Sequence, residues 1–320
     1  MKQIYFALIL LLSMGVVSCR KSGNDVDIKT YDQQQIDAYI KANNLTNMKR
    51  DVTDGDTTGI YYEILSQGYG VGNELNYETP VSLVYSVKSL DGSYVTSDTI
   101  MNHSYNFVGT TTPKGLMIAL HNLAKFKGTR AKFLIPSRLA YGASGSGTGP
   151  GRLPGNQSLE YYVNVINNQN LYDDQVISKY LAANNLVGYT RIPSGEYEGL
   201  YYKITKQGTG TEPIKLTSTV AMQYTGRLIN GPYLNQTIFD QANTETGTTF
   251  SPGGSLSLEN TVAGFAGGVQ KATAGAQLSL FIPSKLGYGT GSRTDQNTGL
   301  VSIPANSVLH FEMNILTVTN

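Results

Sequence analysis

The chain has 320 residues, enough for two or three domains of ordinary size. Lys plus Arg number 24 against 23 Asp plus Glu, a net charge of +1, which excludes a broad electrostatic grip on nucleic acid. With 40% hydrophobic and 15% charged residues the chain is too apolar to be disordered and too polar for a multi-span membrane protein. A single cysteine excludes an internal disulfide and a Cys-based zinc cage, and three widely spaced histidines argue against a Cys–His catalytic pair.

The N-terminus reads as an address. Lys2 precedes an apolar run from Ile4 to Val17, the length of a secretory core and short for a bilayer span. The run stops at Val16-Val17-Ser18-Cys19, which resembles a bacterial lipobox, so residues 1–18 are expected to be a lipoprotein signal peptide and Cys19 the lipidated residue. A plain signal peptide with an incidental Cys is the alternative. Residues 19–30 are polar and read as a flexible tether. The protein is then expected in the cell envelope, lipid-anchored, with the periplasmic side favoured over the cell surface because no acidic run follows the Cys.

The remainder of the chain is one unit written twice. Ile36–Leu45 returns as Ile177–Leu186, Gly59–Ile64 as Gly199–Ile204, Val81–Tyr85 as Val220–Tyr224, and Ile135–Gly142 as Ile282–Gly289. The divisions expected are 31–168 and 169–320, joined at Asn167–Asn170. In each copy Ile36, Tyr39 and Ile40, or Ile177, Tyr180 and Leu181, make an amphipathic helix stripe. The Asn-Asn behind it suits a helix end, because Asn tolerates the left-handed conformation.

Period-two alternation then predicts strands near 60–64 and 200–204, followed by Val81–Val87, Lys132–Ile135 and Leu159–Ile166 in the first copy, and Val220–Leu228, Leu278–Ile282 and Val308–Val318 in the second. Leu116, Leu120 and Leu123 predict one more helix. Its counterpart, Val262–Lys271, is Gly-rich and needs packing against a sheet to be helical. The expected class is α+β: in each domain an antiparallel sheet curled around a short helix, with an extra helix in front.

Five pieces of the second copy, in order and spacing, resemble the FKBP-type peptidyl-prolyl isomerases. They are Tyr224–Leu228, Phe239-Asp240, Gly275, Ile282-Pro283 with Leu286–Gly289, and Ile303–Phe311. The resemblance runs from Lys206 to the C-terminus. It implies two tandem FKBP-like domains, a peptidyl-prolyl cis-trans isomerase activity without cofactor or metal, and proline-containing polypeptides as partners, the service being to folding of exported proteins. Carried across by position, it implies a catalytic group of Tyr224, Phe239, Asp240 and Tyr288, with Val262, Phe265, Ile303 and Phe311 binding the substrate. Phe265 stands where the family usually has Trp, and the loop from Gly289 to Ile303 is longer than the compact form.

The first copy keeps Tyr85, Ile135-Pro136, Tyr141-Gly142 and Tyr161 but has no Phe-Asp pair. Ser86-Val87 replaces Thr-Gly, and the pocket-floor position falls near Ile118. It is expected to be a degenerate copy that binds or spaces. The rival reading of the whole chain is a non-catalytic envelope lipoprotein that binds unfolded or partner polypeptides through both units. The patterns of phosphate-binding loops and serine-hydrolase elbows are absent.

Overall fold

The computed structural model describes residues 26–320, so the expected signal peptide and Cys19 lie outside the described residues. The first helix, α1 (Ile28–Ala42), begins inside the segment expected as tether. Asp27 is the reason: its carboxylate accepts from the amides of Lys29 and Thr30 and caps the helix start. At the other end Asn44 takes φ 52°, and its counterpart Asn185 φ 54°, so both Asn-Asn pairs end their helices through a left-handed residue.

The first unit continues through β1 (Lys49–Arg50), β2 (Tyr61–Ser66), β3 (Pro80–Ser89), β4 (Val95–Thr96), β5 (His103–Phe107), α2 (Lys114–Ile118), β6 (Arg130–Ile135) and β7 (Leu159–Ile166). Its sheet has the order β1-β2-β6-β7-β3-β4, with β5 also on β3. Helix α2 runs on as a π-helical stretch to Ala124, and the Leu116, Leu120 and Leu123 stripe is buried against the sheet.

Just beyond β7 the second unit starts at α3 (Gln169–Ala183), whose N-cap Asn168 accepts from the Leu171 amide. It then runs β8 (Thr190–Arg191), β9 (Tyr201–Lys206), β10 (Thr219–Asn230), β11 (Tyr233–Leu234), β12 (Asp240–Ala242), β13 (Thr248–Phe250), α4 (Ala263–Val269), β14 (Gln277–Ile282), β15 (Arg293–Thr294), β16 (Val301–Ile303) and β17 (Val308–Thr319). The order β11-β10-β17-β14-β9-β8 repeats the first sheet strand for strand, with β12 and β13 side by side on β10. All pairings are antiparallel. The expected α+β class, with a sheet over one short helix and an extra helix in front of each unit, is what the chain forms.

The sheet of the second unit is covered on both faces. Leu278, Leu280 and Ile282 of β14 point to the α4 side, and Phe281 points to α3, where it meets Ile177 and Tyr180. A strand covered on both sides is buried without alternation, as Leu278–Ile282 of β14 are.

The Gly-rich helix α4 is explained by this contact. A Cβ at Gly264 would lie 2.3 Å from Ile282, and one at Gly268 would lie 2.3 Å from Leu280. Each glycine costs about 1 kcal/mol of helix propensity relative to Ala. Overpacking a core costs about 1–3 kcal/mol, so close approach outweighs propensity here. A Cβ at Gly115 would likewise lie 2.3 Å from Ile135 in the first unit, which fixes the equivalence of the two helices.

The units touch through a loop. Ile100, from the turn between β4 and β5, is buried in the hydrophobic core of the second unit. Asn230 Nδ2 donates to the Thr99 carbonyl at 3.0 Å, and Asn306 Nδ2 donates to Ser82 Oγ at 3.1 Å.

Candidate active site of the second unit

The site begins with a register. Along β10, Gly226 faces Phe311 of β17 on one side and Asp240 of β12 on the other. Tyr224, two residues earlier, points to the same face of the sheet because side chains alternate along a strand. Helix α4 comes up beneath and delivers Phe265. Four side chains from four segments thus converge on the glycine.

The rings interlock edge to face. Phe239 and Phe311 have centroids 5.6 Å apart at 90°, Phe265 and Phe311 5.1 Å at 84°, and Tyr224 and Phe265 5.6 Å at 85°. These are the favoured aromatic geometries, positive edge to negative face. Gly226 makes the arrangement possible, since a Cβ there would lie 2.7 Å from Phe311 and 2.8 Å from Phe239. Phe265, Ile303 and Phe311 are buried, whereas Tyr224, Phe239, Val262 and Tyr288 are partly exposed and Asp240 is exposed. The floor is therefore dry and the rim reaches water.

Polar groups are confined to that rim. Tyr224 Oη donates to Asp240 Oδ2 at 3.2 Å. Burial, then the Asp240 charge, pushes the Tyr224 hydroxyl far above the usual tyrosine range, so it stays protonated and a donor. The same two causes raise Tyr288, whose hydroxyl likewise keeps its proton. The long loop after Gly289 folds as the β15–β16 hairpin, in which Arg293 pairs with Ile303. It returns the Arg293 guanidinium to 4.6 Å from the Tyr288 ring centroid, a cation–π contact that fixes the tyrosine.

Of the eight residues expected at the site, Tyr224, Phe239, Val262, Phe265, Tyr288, Ile303 and Phe311 pack in one hydrophobic cluster, and Asp240 joins it through Tyr224. Two further residues belong to it that sequence reasoning missed. Phe250 of β13 packs against Tyr224 (6.3 Å) and Phe265 (5.8 Å). Arg293 is the other. The short β13 gives no periodic signal, and the hairpin loop has no pattern of its own; only the pairing of β13 with β10 makes Phe250 a wall of the cup.

The first unit shows the same frame without the cup. Tyr85 and Tyr161 keep the positions of Tyr224 and Phe311, with centroids 5.9 Å apart. Val87, however, faces Tyr161 where Gly226 faces Phe311. Its branched side chain occupies space that Gly226 leaves open. Across from Val87 lies Thr96 in place of Asp240, preceded by an exposed Val95 in place of Phe239. The floor position is not at Ile118, as the sequence suggested, but at Leu116. Leu116 follows Gly115 as Phe265 follows Gly264, and the contacts of both glycines with the sheet fix the step.

Among the described residues no group of His, Cys, Asp and Glu is placed to hold a metal ion, and no helix is long and apolar enough to cross a membrane. Fold and site together define a duplicated sheet-over-helix protein with one aromatic cup. The family described as FKBP-type peptidyl-prolyl cis-trans isomerase matches residues 72–166 and 210–316, more than half of the chain and both units, and the chain belongs to that family.

Curated relatives include the FKBP-type peptidyl-prolyl cis-trans isomerase FkpA of Aeromonas hydrophila, 34% identical over 140 residues, which are 44% of this chain and 44% of that protein. The probable FkpA of Neisseria meningitidis is 38% identical over 32% of this chain and 35% of that protein. The outer membrane protein MIP of Legionella longbeachae is 31% identical over 43% and 51%. The chain spans about half or less of the length of each of these relatives. Among solved structures, FkpA from Escherichia coli is 24% identical, covers 47% of this chain and 64% of that one, and superposes with a TM-score of 0.32.

Proposed function

We propose that the chain is an active peptidyl-prolyl cis-trans isomerase whose catalytic centre is the aromatic cup of the second unit, and that it assists the folding of exported proteins from a lipid anchor at Cys19 on the periplasmic side of the envelope. The observation that carries the activity is the buried floor of Phe265 and Phe311, with Phe239 edge-on to Phe311 at the rim, beside the Tyr224–Asp240 hydrogen bond. The envelope reading is supported by the apolar run ending at Cys19 and by relatives that include a protein named for the outer membrane.

The chemistry asks for little beyond such a cup. Rotation about an amide bond meets a barrier of about 18–20 kcal/mol, and an unassisted X-Pro bond takes tens to hundreds of seconds. Turnover in milliseconds needs a gain on the order of 10⁴–10⁵, or roughly 5.5–7 kcal/mol. An apolar floor removes water from the prolyl amide. It thereby weakens the charge-separated resonance form that keeps the amide planar, and favours the half-rotated state. The Tyr288 hydroxyl, held protonated, donates to a substrate carbonyl. Asp240 holds Tyr224 and polarises the wall. No bond to the enzyme forms, and no proton leaves it.

The test is isomerisation of a proline tetrapeptide by the full chain, beside its Asp240→Ala and Tyr288→Phe variants. Turnover above the uncatalysed rate that falls in both variants supports the reading. A rate at background overturns it and leaves a polypeptide-binding protein.

A further inference from the structure

A groove runs from the cup toward the first unit. It encloses about 310 Å³ between Asp98 and Met101 of the first unit and Asn235–Phe239 and Asp295–Ser302 of the second. Two features make it continuous with the cup. Phe239 lines both, and strand β16 carries Val301 at the groove and, two residues on along the same face, Ile303 buried in one cluster with Phe265 and Phe311.

The first-unit wall is firmly built. Asp98 Oδ1 accepts from the amides of Ile100 (2.9 Å) and Met101 (3.2 Å), Ile100 is sunk in the second-unit core, and Asn230 holds the Thr99 carbonyl. On the opposite side Leu300 is 69% exposed and Val301 45%, apolar surface that a solvated hairpin does not need for its own folding. The charged residues of the lining are Asp98 and Asp295, both acidic.

We propose that this groove between the units is an extended substrate subsite: a polypeptide whose proline occupies the cup lays its chain on one side of that proline across Leu300, Val301 and Met101, and the groove selects apolar and basic residues there. The inference rests on the isomerase reading. It gives the first unit a part in catalysis without a cup of its own: it supplies one wall of the neighbouring site. Apolar side chains of the client cover Leu300 and Met101, and Lys or Arg faces Asp98 and Asp295. The occupant is a segment of the substrate polypeptide, because the groove opens onto the pocket where the substrate's proline sits and its charge suits a basic chain.

The experiment uses the full chain and three labelled peptides around the same proline: a tetrapeptide, and two versions extended by about six residues on each side, one with Leu and Lys, the other with Leu and Glu. Affinity is read by fluorescence anisotropy and turnover separately. The Lys-extended peptide is expected to bind about 5-fold more tightly than the Glu-extended one at low salt. Leu300→Lys on the second unit, and Met101→Lys on the first, each abolish or reverse that ratio. Both peptides are compared on the same variant, so the ratio cancels any change within the cup. Equal affinity of the wild-type chain for the two extended peptides overturns the groove, as does a preference that neither substitution alters. Failure of the isomerase reading looks different: all three peptides then turn over at background, whatever their affinities.

Discussion

Gly226 and Phe311 face each other across β10 and β17 so closely that a single methyl on the glycine would stand 2.7 Å from the phenyl ring. The first unit carries Val87 in the same register, facing Tyr161. The missing side chain leaves room beside Phe311 that the valine fills in the first unit.

Gly226→Val, which copies the first unit into the second, is expected to lower turnover of a proline peptide about 100-fold, since displacements near 1 Å at a reacting site carry losses of that size. It should also destabilise the second unit by about 1–3 kcal/mol through overpacking. Steady-state assays and urea unfolding measure the two effects. Val87→Gly in the first unit should create no activity, because Val95, Thr96 and Leu116 stand there in place of Phe239, Asp240 and Phe265.

Asp240→Asn keeps the shape of the rim but removes the charge that Tyr224 donates to. A hydrogen bond to a charged group is worth about 1.5 kcal/mol or more, so kcat/KM should fall roughly 10-fold. Asp240 is exposed, and unfolding free energy should change by less than about 0.5 kcal/mol. An equal loss of stability and activity would show that the carboxylate serves the fold rather than the site.

The full chain carrying Phe239→Ala and Asp240→Asn together should isomerise proline peptides at the uncatalysed rate, leaving nothing that the first unit could supply. Turnover persisting at the wild-type level would locate a working centre in the first unit instead. Circular dichroism on the same preparation shows that the fold is retained.

Asp173 of α3 accepts from the Ser284 amide at 2.7 Å and the Ser284 hydroxyl at 2.6 Å, tying the leading helix to the turn after Ile282-Pro283. In the first unit the matching Asp32 accepts from the Arg138 amide at 3.2 Å, one residue further along the same turn. Asp173→Ala leaves the buried Ser284 donors unpaired and should cost about 3 kcal/mol, seen as a lower urea midpoint. Asp173→Asn should cost less, as one oxygen still accepts.

Stability should fall on mild acidification. Burial holds His103 and His310 at about 4, below their ordinary 6.5, and His310 Nδ1 has no partner to receive a proton's hydrogen bond. Between pH 6.5 and 4 the folded chain therefore binds fewer protons than the unfolded one at these sites, and stability drops as pH falls. Asp173 acts the other way. Burial raises its carboxyl to about 6, so the folded chain binds more protons there between pH 6 and 3.8, and stability rises as pH falls. Two histidines against one aspartate give a net loss, measured as a lower urea midpoint at about pH 4.5 than at about pH 7. His310→Gln should flatten that slope.

Much of this was legible in the residues themselves. The duplication, the leading helices with their Asn-Asn ends and the long strands follow from periodicity, because a helix stripe and a strand alternation are local properties of the chain. The Phe-Asp pair and the Ile-Pro and Tyr-Gly elements stood out only through their resemblance, in order and spacing, to one family. Other features depend on partners distant in sequence. Phe250 enters the cup only because β13 pairs with β10, Leu116 rather than Ile118 reaches the floor because Gly115 meets Ile135, and Arg293 reaches Tyr288 because a patternless loop closes into a hairpin.

By itself, then, the sequence determined two copies of one α+β unit, since burial of one face leaves its period in the chain. Only the tertiary structure decided that Ile100 seats the first unit in the core of the second, and that Met101 and Asp98 come to stand beside Phe239. A contact between surfaces so far apart along the chain is set by shape and by the exclusion of water, and neither leaves a repeat to be read.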